Sequence, residues 1–221
     1  MPADRFFNLP AAKRERIFQA AVREFGRCRF SEASINQIIK DAGIPRGSFY
    51  QYFAGKEDLF LYVLGEISRE KMAVLVSSGY DPVNGAGEAG FFSLVNDAIP
   101  AIFAWADRQA DYNMIGLRMA QDDSDFIHDI YIKMDEPGGE TRRLIENDQK
   151  NGLLRQDADP AMVMYVLRLL AAALIREYYR SADKAGMVER IKTVVNMFYL
   201  GLRNDQRGDQ RDDQRSDQRN D

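Results

Sequence analysis

Apolar residues recur at steps of three and four positions along most of this 221-residue chain. The spacing is clear near the end, where Val188, Ile191, Val195, Phe198 and Leu202 would share one face of a helix. We find no segment that alternates apolar and polar residues as a half-buried β-strand does. The sequence therefore predicts an all-α fold.

Glycine and proline mark where the predicted helices end. Residues 77–90 hold four glycines and a proline, which indicates a loop between helices, and residues 137–139 form a second break. Asn151 and Gly152 are typical of a helix end, whereas Asp159 followed by Pro160 is typical of a helix start. The chain after residue 60 is thus predicted to be a series of helices.

The last eighteen residues, 204–221, repeat Asp-Gln-Arg and contain no apolar residue. Such a segment cannot bury surface to offset the entropy lost on ordering, so we expect a disordered tail. A polar helix stabilised by spaced charge pairs is the alternative.

Composition predicts a globular protein without a membrane span, because 45% of residues are hydrophobic and 29% are charged. The longest uncharged apolar runs, such as residues 98–106, fall well short of the roughly 18 residues that cross a bilayer. Charges also run throughout residues 1–30, unlike a secretory signal. We expect a cytoplasmic location.

The chain offers few groups for catalysis or metal binding. It has a single cysteine, Cys28, and a single histidine, His128, and it lacks a Ser-His-Asp signature or a phosphate-binding glycine motif. We therefore predict no catalytic residue, no metal site and no cofactor, and an enzyme is a poor hypothesis.

Charge is divided unevenly along the chain. Residues 1–60 carry ten Lys and Arg against seven Asp and Glu, a net of +3, whereas residues 61–221 carry twenty against twenty-seven, a net of −7. We call residues 1–60 the head and residues 61–221 the body. A basic head beside an acidic body indicates that the head binds a polyanion.

The head contains three predicted helices. The first begins near Pro10, with polar residues such as Glu24 outside an apolar face formed by Ile17, Ala20, Ala21 and Phe25. Ser34 to Gln37 matches a capping box that starts the second helix at Ile35. Gly43 ends that helix, and Pro45 precedes the third, Arg46 to Phe53, so the pair is predicted to form a helix-turn-helix.

The third helix carries residues that suit a DNA groove. Arg46 can donate two hydrogen bonds to guanine, Ser48 can bond to base edges or a phosphate, and Gly47 permits close approach. Phe49 and Phe53 are predicted to be core. Phosphates could be held by the hydroxyls of Tyr50 and Tyr52 and by the ammonium of Lys56, although either tyrosine could simply pack with its hydroxyl outward.

Four segments carry a resemblance: I-x-x-A-A-x-x-x-F at 17–25, S-I-x-x-I at 34–38, A-G-I-P-R-G-S-F-Y-Q-Y-F at 42–53 and K-E-D-L at 56–59. In order and spacing they resemble the DNA-binding domain of the tetracycline-repressor (TetR) family. The resemblance implies a dimeric repressor released from DNA by a ligand. It implies groove contact by Asn36, Arg46, Gly47 and Ser48, and phosphate contact by Ser34, Tyr50, Tyr52 and Lys56.

Two positions depart from the family pattern. Pro45 stands where members commonly have Ser or Thr, so the third helix lacks a hydroxyl cap. Arg29 stands where members usually have Gly and could be an extra phosphate contact. These departures keep open an alternative, a small-molecule or partner-binding helical protein whose DNA contact is lost or needs a corepressor.

The expected organisation is a DNA-binding domain at residues 1–60, a larger effector-binding and dimerisation domain at 61–203 and the tail. The resemblance places an effector pocket among the central helices, and an inward-facing Arg118 or Arg168 would favour an acidic or acyl ligand. A small hydrophobic or amphiphilic effector is expected. The candidate pocket residues, each of which could instead be core, are Phe103, Trp105, Tyr112, Met114, Arg118, Met119, Phe126, Tyr131 and Arg168.

The last two helices carry the three-and-four spacing of a helix-bundle seam. Two chains paired there would present two recognition helices to an inverted-repeat operator in double-stranded DNA. The alternative is that these faces only close the core of a single chain. The predicted dimer residues are Met162, Val166, Leu169, Ala173, Val188, Ile191, Val195, Phe198 and Leu202.

Overall fold

The computed structural model describes residues 2–79, 90–135 and 140–204. In these ranges the chain forms α-helices and one 3₁₀ helix, Phe30–Glu32, and no β-strand, which confirms the predicted all-α fold. None of these helices is both long and apolar enough to span a bilayer. The α-helices are α1 (Asp4–Phe7), α2 (Ala11–Arg27), α3 (Ile35–Ala42), α4 (Arg46–Tyr52), α5 (Lys56–Ser77), α6 (Gly90–Arg108), α7 (Ala110–Met119), α8 (Asp125–Asp135), α9 (Glu140–Lys150), α10 (Pro160–Arg180) and α11 (Lys184–Leu202).

Local signals in the sequence set several helix ends. Helix α2 begins directly after Pro10, and Pro160 is the first residue of α10, where the Asp159 side chain accepts a hydrogen bond from the Ala161 N–H over 3.0 Å. Gly152, just after α9, has a φ of +68°. The predicted loop and tail lie mostly outside the described residues.

Contacts divide the chain into two compact units. The first comprises Met1–Val74 and Ala101–Tyr131, and the second comprises Leu75–Pro100 and Ile132–Asp221. The chain passes from one unit to the other within α5, α6 and α8. The predicted domain boundary at residue 60 stays a prediction, because a cluster of contacts does not establish that a segment folds independently.

The first unit has a core of aromatic side chains. The Phe60 ring centroid lies 4.8 Å from that of Phe25 and 5.0 Å from that of Phe30. Phe49 and Phe53 are fully buried, as predicted, and so is the expected apolar face of α2. The same core includes side chains of α7 and α8, so the helix-turn-helix rests on residues far from it in sequence.

The second unit is closed by contacts among α6, α10 and α11. The Phe92 ring of α6 stacks on Tyr199 of α11 with centroids 5.4 Å apart. The Lys184 ammonium donates a 2.9 Å hydrogen bond to the Tyr178 carbonyl and so ties the start of α11 to the end of α10. These contacts leave other side chains of α10 and α11 exposed.

A buried carboxylate holds the start of α6. The Phe91 N–H donates to Asp148 Oδ2 over 2.8 Å. Gly90 has a φ of +78°, a conformation that favours glycine, and a Cβ there would lie 2.7 Å from a Leu153 methyl carbon. Burial raises the pKa of Asp148, and the hydrogen bond from Phe91 offsets only part of that effect.

We expect Asp148→Asn to be more stable than the natural chain at neutral pH, because the amide oxygen keeps the bond to Phe91 without a buried charge. A pKa raised by folding means that the folded state favours the protonated acid. The advantage of Asn should therefore shrink as pH falls through the folded-state pKa towards the unfolded one. Urea unfolding at neutral pH and near pH 4 measures this.

Asp148→Ala is the matched variant, because it leaves the Phe91 N–H without its acceptor. It should lower the free energy of unfolding by about 1–3 kcal/mol. Equal stability of the Asn and Ala variants at neutral pH would show that the hydrogen bond does not hold α6.

Candidate nucleic-acid interface

The helix-turn-helix consists of α3, the turn at residues 43–45 and α4. Gly43 ends α3 with a φ of +62°, a conformation that glycine adopts without strain. The Ile44 N–H donates to the Ile39 carbonyl over 3.2 Å, and the Ile44 side chain is buried. These bonds and the buried side chain fix where α4 begins relative to α3.

The start of α3 is capped differently from the sequence prediction. The Ser34 hydroxyl accepts from the Gln37 N–H over 3.4 Å, as the capping box requires. The capping box also requires a bond from the Ser34 N–H to the Gln37 side chain, and this bond does not form. The Gln37 side chain donates to Asp41 instead, and the Ser34 N–H donates to Glu24 Oε1 over 2.8 Å. Half of the predicted capping box is therefore wrong, and Glu24 supplies the missing acceptor.

Glu24 was predicted to lie outside the core, and this is also wrong, since it is only 2% exposed. Its carboxylate accepts hydrogen bonds from the Ser34 N–H and from Arg27, whose Nη2 lies 2.8 Å away. The hydrogen bonds that Arg27 donates to Glu24 raise the pKa of Arg27. Through its bond from the Ser34 N–H, the Glu24 carboxylate of α2 holds the start of α3.

Helix α4 forms over seven residues although Pro45, at its N-cap, gives no side-chain hydrogen bond. The backbone of Pro45 has a φ of −64°, as the proline ring dictates. The helix buries Phe49 and exposes Arg46, Gly47 and Tyr50. Its leading turn therefore projects from a rigid core.

The exposed residues of α3 and α4 suit contact with a partner. Asn36 is exposed, Ser48 is half-buried, and the Tyr50 side chain is 50% exposed. No atom lies within 4 Å of a Cβ built on Gly47, so nothing inside the described chain requires glycine at this position. A guanidinium, an amide and hydroxyls beside an open glycine can bond to base edges and phosphates.

Two residues predicted to hold phosphates have hydrogen-bond partners within the fold, and their phosphate contacts stay predictions. The Lys56 ammonium donates to the carbonyls of Phe30, Ser31 and Ala33 over 2.8, 3.3 and 3.1 Å, which uses its three N–H groups. The Tyr52 ring is buried, and its hydroxyl accepts from Lys13 Nζ over 3.3 Å. Sequence spacing missed both roles because each partner lies more than twenty positions away.

Arg29 is engaged within its own loop. Its guanidinium forms an ion pair with Glu32 over 2.7 Å. This hydrogen bond raises the pKa of Arg29 and lowers the pKa of Glu32. Arg29 thus stabilises the 3₁₀ helix that precedes α3, in a position where glycine was expected from the resemblance.

The same loop is anchored to the turn between α7 and α8. Asp122 Oδ2 accepts from the Ser31 N–H over 2.8 Å and from the Ser31 hydroxyl over 3.1 Å. Burial acts to raise the pKa of Asp122, but hydrogen bonds from Ser124 and Ser31 outweigh burial and lower it. Asp122 is only 8% exposed, so its carboxylate lies inside the fold rather than in solvent.

The predicted effector residues fall in both compact units, and their common pocket stays a prediction. Trp105 Nε1 donates to Glu70 over 3.2 Å, and the Lys71 ammonium lies 5.5 Å from the Trp105 ring centroid, two partners that sequence reasoning missed. Burial lowers the pKa of Lys71. Arg168 belongs to the second unit. In the first unit Phe103, Trp105, Tyr112 and Met119 are buried, whereas Met114, Arg118, Phe126 and Tyr131 are half-buried.

The residues of the predicted dimer seam differ in how far they are buried. On α11, Ile191 and Val195 are buried within the chain, and their place in a dimer seam stays a prediction. On α10, Met162 and Leu169 are exposed. The remaining seam residues, Val166, Ala173, Val188, Phe198 and Leu202, are half-buried, and the exposed apolar side chains that the spacing missed are Tyr165, Met197 and Leu200.

Comparisons with known proteins agree with this geometry. Residues 17–63 match the family model of bacterial regulatory proteins, tetR family. The uncharacterized HTH-type transcriptional regulator YdgC of Bacillus subtilis is 25% identical over 191 residues, covering 86% of this chain and 92% of YdgC. The HTH-type transcriptional regulator SrpR of Pseudomonas putida is 26% identical over 195 residues, covering 88% of this chain and 87% of SrpR.

A solved structure gives the same assignment. The crystal structure of a TetR family transcriptional regulator from Chloroflexus aurantiacus J-10-FL is 25% identical, with a TM-score of 0.63, and the match covers 92% of this chain and 99% of that one. The helix-turn-helix, the family match and the fold together identify the chain as a member of the TetR family of helix-turn-helix transcriptional regulators.

Proposed function

We propose that this regulator is a dimeric repressor that binds an inverted-repeat operator and is released by a small hydrophobic or amphiphilic effector. The observation that carries the proposal is the leading turn of α4, which exposes Arg46, Gly47 and Tyr50 above the buried Phe49. A rigid helix with an exposed guanidinium at its start can enter the major groove.

The chemistry of the surface divides into two kinds of contact. Arg46 would read base edges, since a guanidinium can donate two hydrogen bonds to guanine. Asn36 and Ser48 would bond to bases or to phosphates nearby. Tyr50 would hold a phosphate through its exposed hydroxyl. We leave Lys56 out of this surface because its ammonium is bonded to three carbonyls.

Dimerisation would use the exposed apolar faces of the last two helices. Met162, Tyr165 and Leu169 lie three or four positions apart on α10, and Met197 and Leu200 lie three apart on α11. All five are at least half exposed, with Met197 the most exposed at 67%. Covering such side chains is favourable, and a two-fold pairing would match an inverted repeat.

The effector would act through differential affinity for two states of the dimer. Support for a ligand with an acidic group comes from Arg118, whose Nε is buried and makes no hydrogen bond within the described residues. Trp105 is the chain's single tryptophan, so its emission offers a direct readout for ligand screening. A carboxylate ligand should change that emission at lower concentration than its neutral amide.

The operator is best found by selecting bound fragments from genomic DNA. We expect the natural chain to enrich an inverted repeat, and Arg46→Ala with Tyr50→Ala to lose it. Removing a bidentate base contact costs about 1–3 kcal/mol of specific binding. Binding should also weaken as salt increases, because phosphate contacts release counterions.

Arg190→Ala is the charge-matched control, because Arg190 is an exposed arginine of α11 outside the head. It should enrich the same fragments as the natural chain. Enrichment of no fragment by the natural chain, with and without candidate ligands, would contradict the proposal and favour a protein without DNA contact.

Gly47→Ala tests close approach of α4 to DNA. The methyl group meets open space in the free protein, and alanine is the better helix former, so stability should hold or rise by up to about 1 kcal/mol. Operator affinity should nevertheless fall several-fold, because the methyl group would stand between the helix and the bases. Thermal unfolding and fluorescence anisotropy measure the two effects.

Gly65→Ala provides the control, since Gly65 is an exposed residue of α5 that also faces open space. It should leave operator affinity unchanged. If Gly47→Ala binds the operator as tightly as the natural chain, the groove approach assigned to Gly47 is wrong.

Leu169→Glu tests the dimer surface. Leu169 is 51% exposed within one chain, so the change should leave the fold intact. A charge buried between two chains should raise the dimer dissociation constant by on the order of tenfold or more. Sedimentation velocity over a concentration series measures the constant.

Leu61→Glu is the control, because Leu61 is a similarly exposed leucine on α5. It should dissociate at the same concentration as the natural chain. An unchanged constant in Leu169→Glu would exclude this face of α10 from the dimer.

A further inference from the structure

The N-terminal segment, residues 2–9, contacts the end of the recognition helix. The Ala3 N–H donates to the Tyr52 carbonyl over 2.9 Å. Phe6 is fully buried, and its ring centroid lies 4.8 Å from that of Phe53 and 5.0 Å from that of Tyr62. The family-model match begins at residue 17, so this segment lies outside it.

The contact with residues 2–9 stabilises the C-terminal end of α4. A helix of seven residues is marginal by itself, and its last carbonyl groups lack partners within the helix. Its start has no side-chain cap because Pro45 occupies that position. The bond from Ala3 to Tyr52 satisfies one terminal carbonyl, so the segment stabilises α4 at the end opposite the missing cap.

Residues of α2 fix the segment in turn. Arg14 Nη1 donates to the Phe7 carbonyl over 2.5 Å and to the Leu9 carbonyl over 2.9 Å. The Lys13 ammonium donates to the Tyr52 hydroxyl over 3.3 Å. The end of α4 is therefore held between α1, α2 and the Tyr62 side chain of α5.

We propose that residues 2–9 are a positioning element for the recognition helix, in which Ala3 and Phe6 hold the end of α4 so that its leading turn reads bases in register. The inference rests on the DNA-binding function proposed above. Two hydrogen bonds from one guanidinium to one guanine require close alignment, whereas phosphate contacts tolerate small rotations of the helix. Loss of the segment should therefore weaken specific binding more than non-specific binding.

Ala3→Pro removes the N–H donor with little other change. Ala3 has a φ of −68°, which proline already prefers, and its side chain is exposed. We expect operator affinity to fall about fivefold or more, with affinity for a scrambled duplex unchanged. Fluorescence anisotropy of the full chain on both duplexes gives the specificity ratio, which is operator affinity divided by affinity for the scrambled duplex. Ala3→Ser keeps the N–H and should retain this ratio.

Phe6→Ala tests the packing side of the contact. It should lower the same ratio, and Phe6→Leu, which restores apolar volume, should recover part of it. Leu61→Ala is the control outside the segment, because the Leu61 side chain of α5 is 45% exposed. Hydrogen exchange of the α4 amides should speed up in Ala3→Pro and Phe6→Ala and stay unchanged in Leu61→Ala.

The ratio separates positioning from loss of fold. Partial unfolding lowers affinity for both duplexes by one factor, so an unchanged ratio in Ala3→Pro and Phe6→Ala would overturn the proposal. An equal loss of the ratio in Leu61→Ala would overturn it as well, since truncating an exposed side chain outside the segment would then have the same effect. Failure of the natural chain to prefer any duplex would instead contradict the DNA-binding function itself.

Discussion

Three polar side chains hold the loop between α2 and α3, and the recognition surface depends on them. Lys56 bonds to three of its carbonyls, Asp122 accepts from Ser31, and Glu24 accepts from Ser34. An unpaired group buried here would cost on the order of 1–3 kcal/mol, so the loop is stable only with its partners in place. Because the loop ends at the cap of α3, these bonds set where the helix-turn-helix begins.

The aromatic core fixes the other side of the motif. The Phe30 ring lies 5.0 Å from Phe60 of α5 and 4.4 Å from Phe126 of α8, measured between centroids. Close-packed rings transmit displacement because interiors have little free volume. Phe126 and Phe30 therefore join α8 to the loop before α3 within the first unit.

The proposed contacts with DNA and with a second chain differ in how the chain presents them. Arg46 and Tyr50 stand on a short helix whose buried face is fully packed, so their backbone is held before DNA arrives. The α10 face with Met162 and Leu169 is apolar and exposed, so covering it is favourable in itself. In the proposed function, the first surface would supply specificity, and the second would supply the symmetry that an inverted repeat requires.

The sequence by itself determined the helices and the turn, because caps, glycine at positive φ and apolar spacing act over a few residues. Ser34, Gly43 and Phe49 behave as those local rules predict. Only the tertiary structure decided that Glu24 is buried and that Lys56 donates to three backbone carbonyls, since their partners lie ten or more positions away. The apolar spacing of α11 could not distinguish a face packed in the core from an exposed one. Helical periodicity predicts an apolar face but does not specify which residues pack against it.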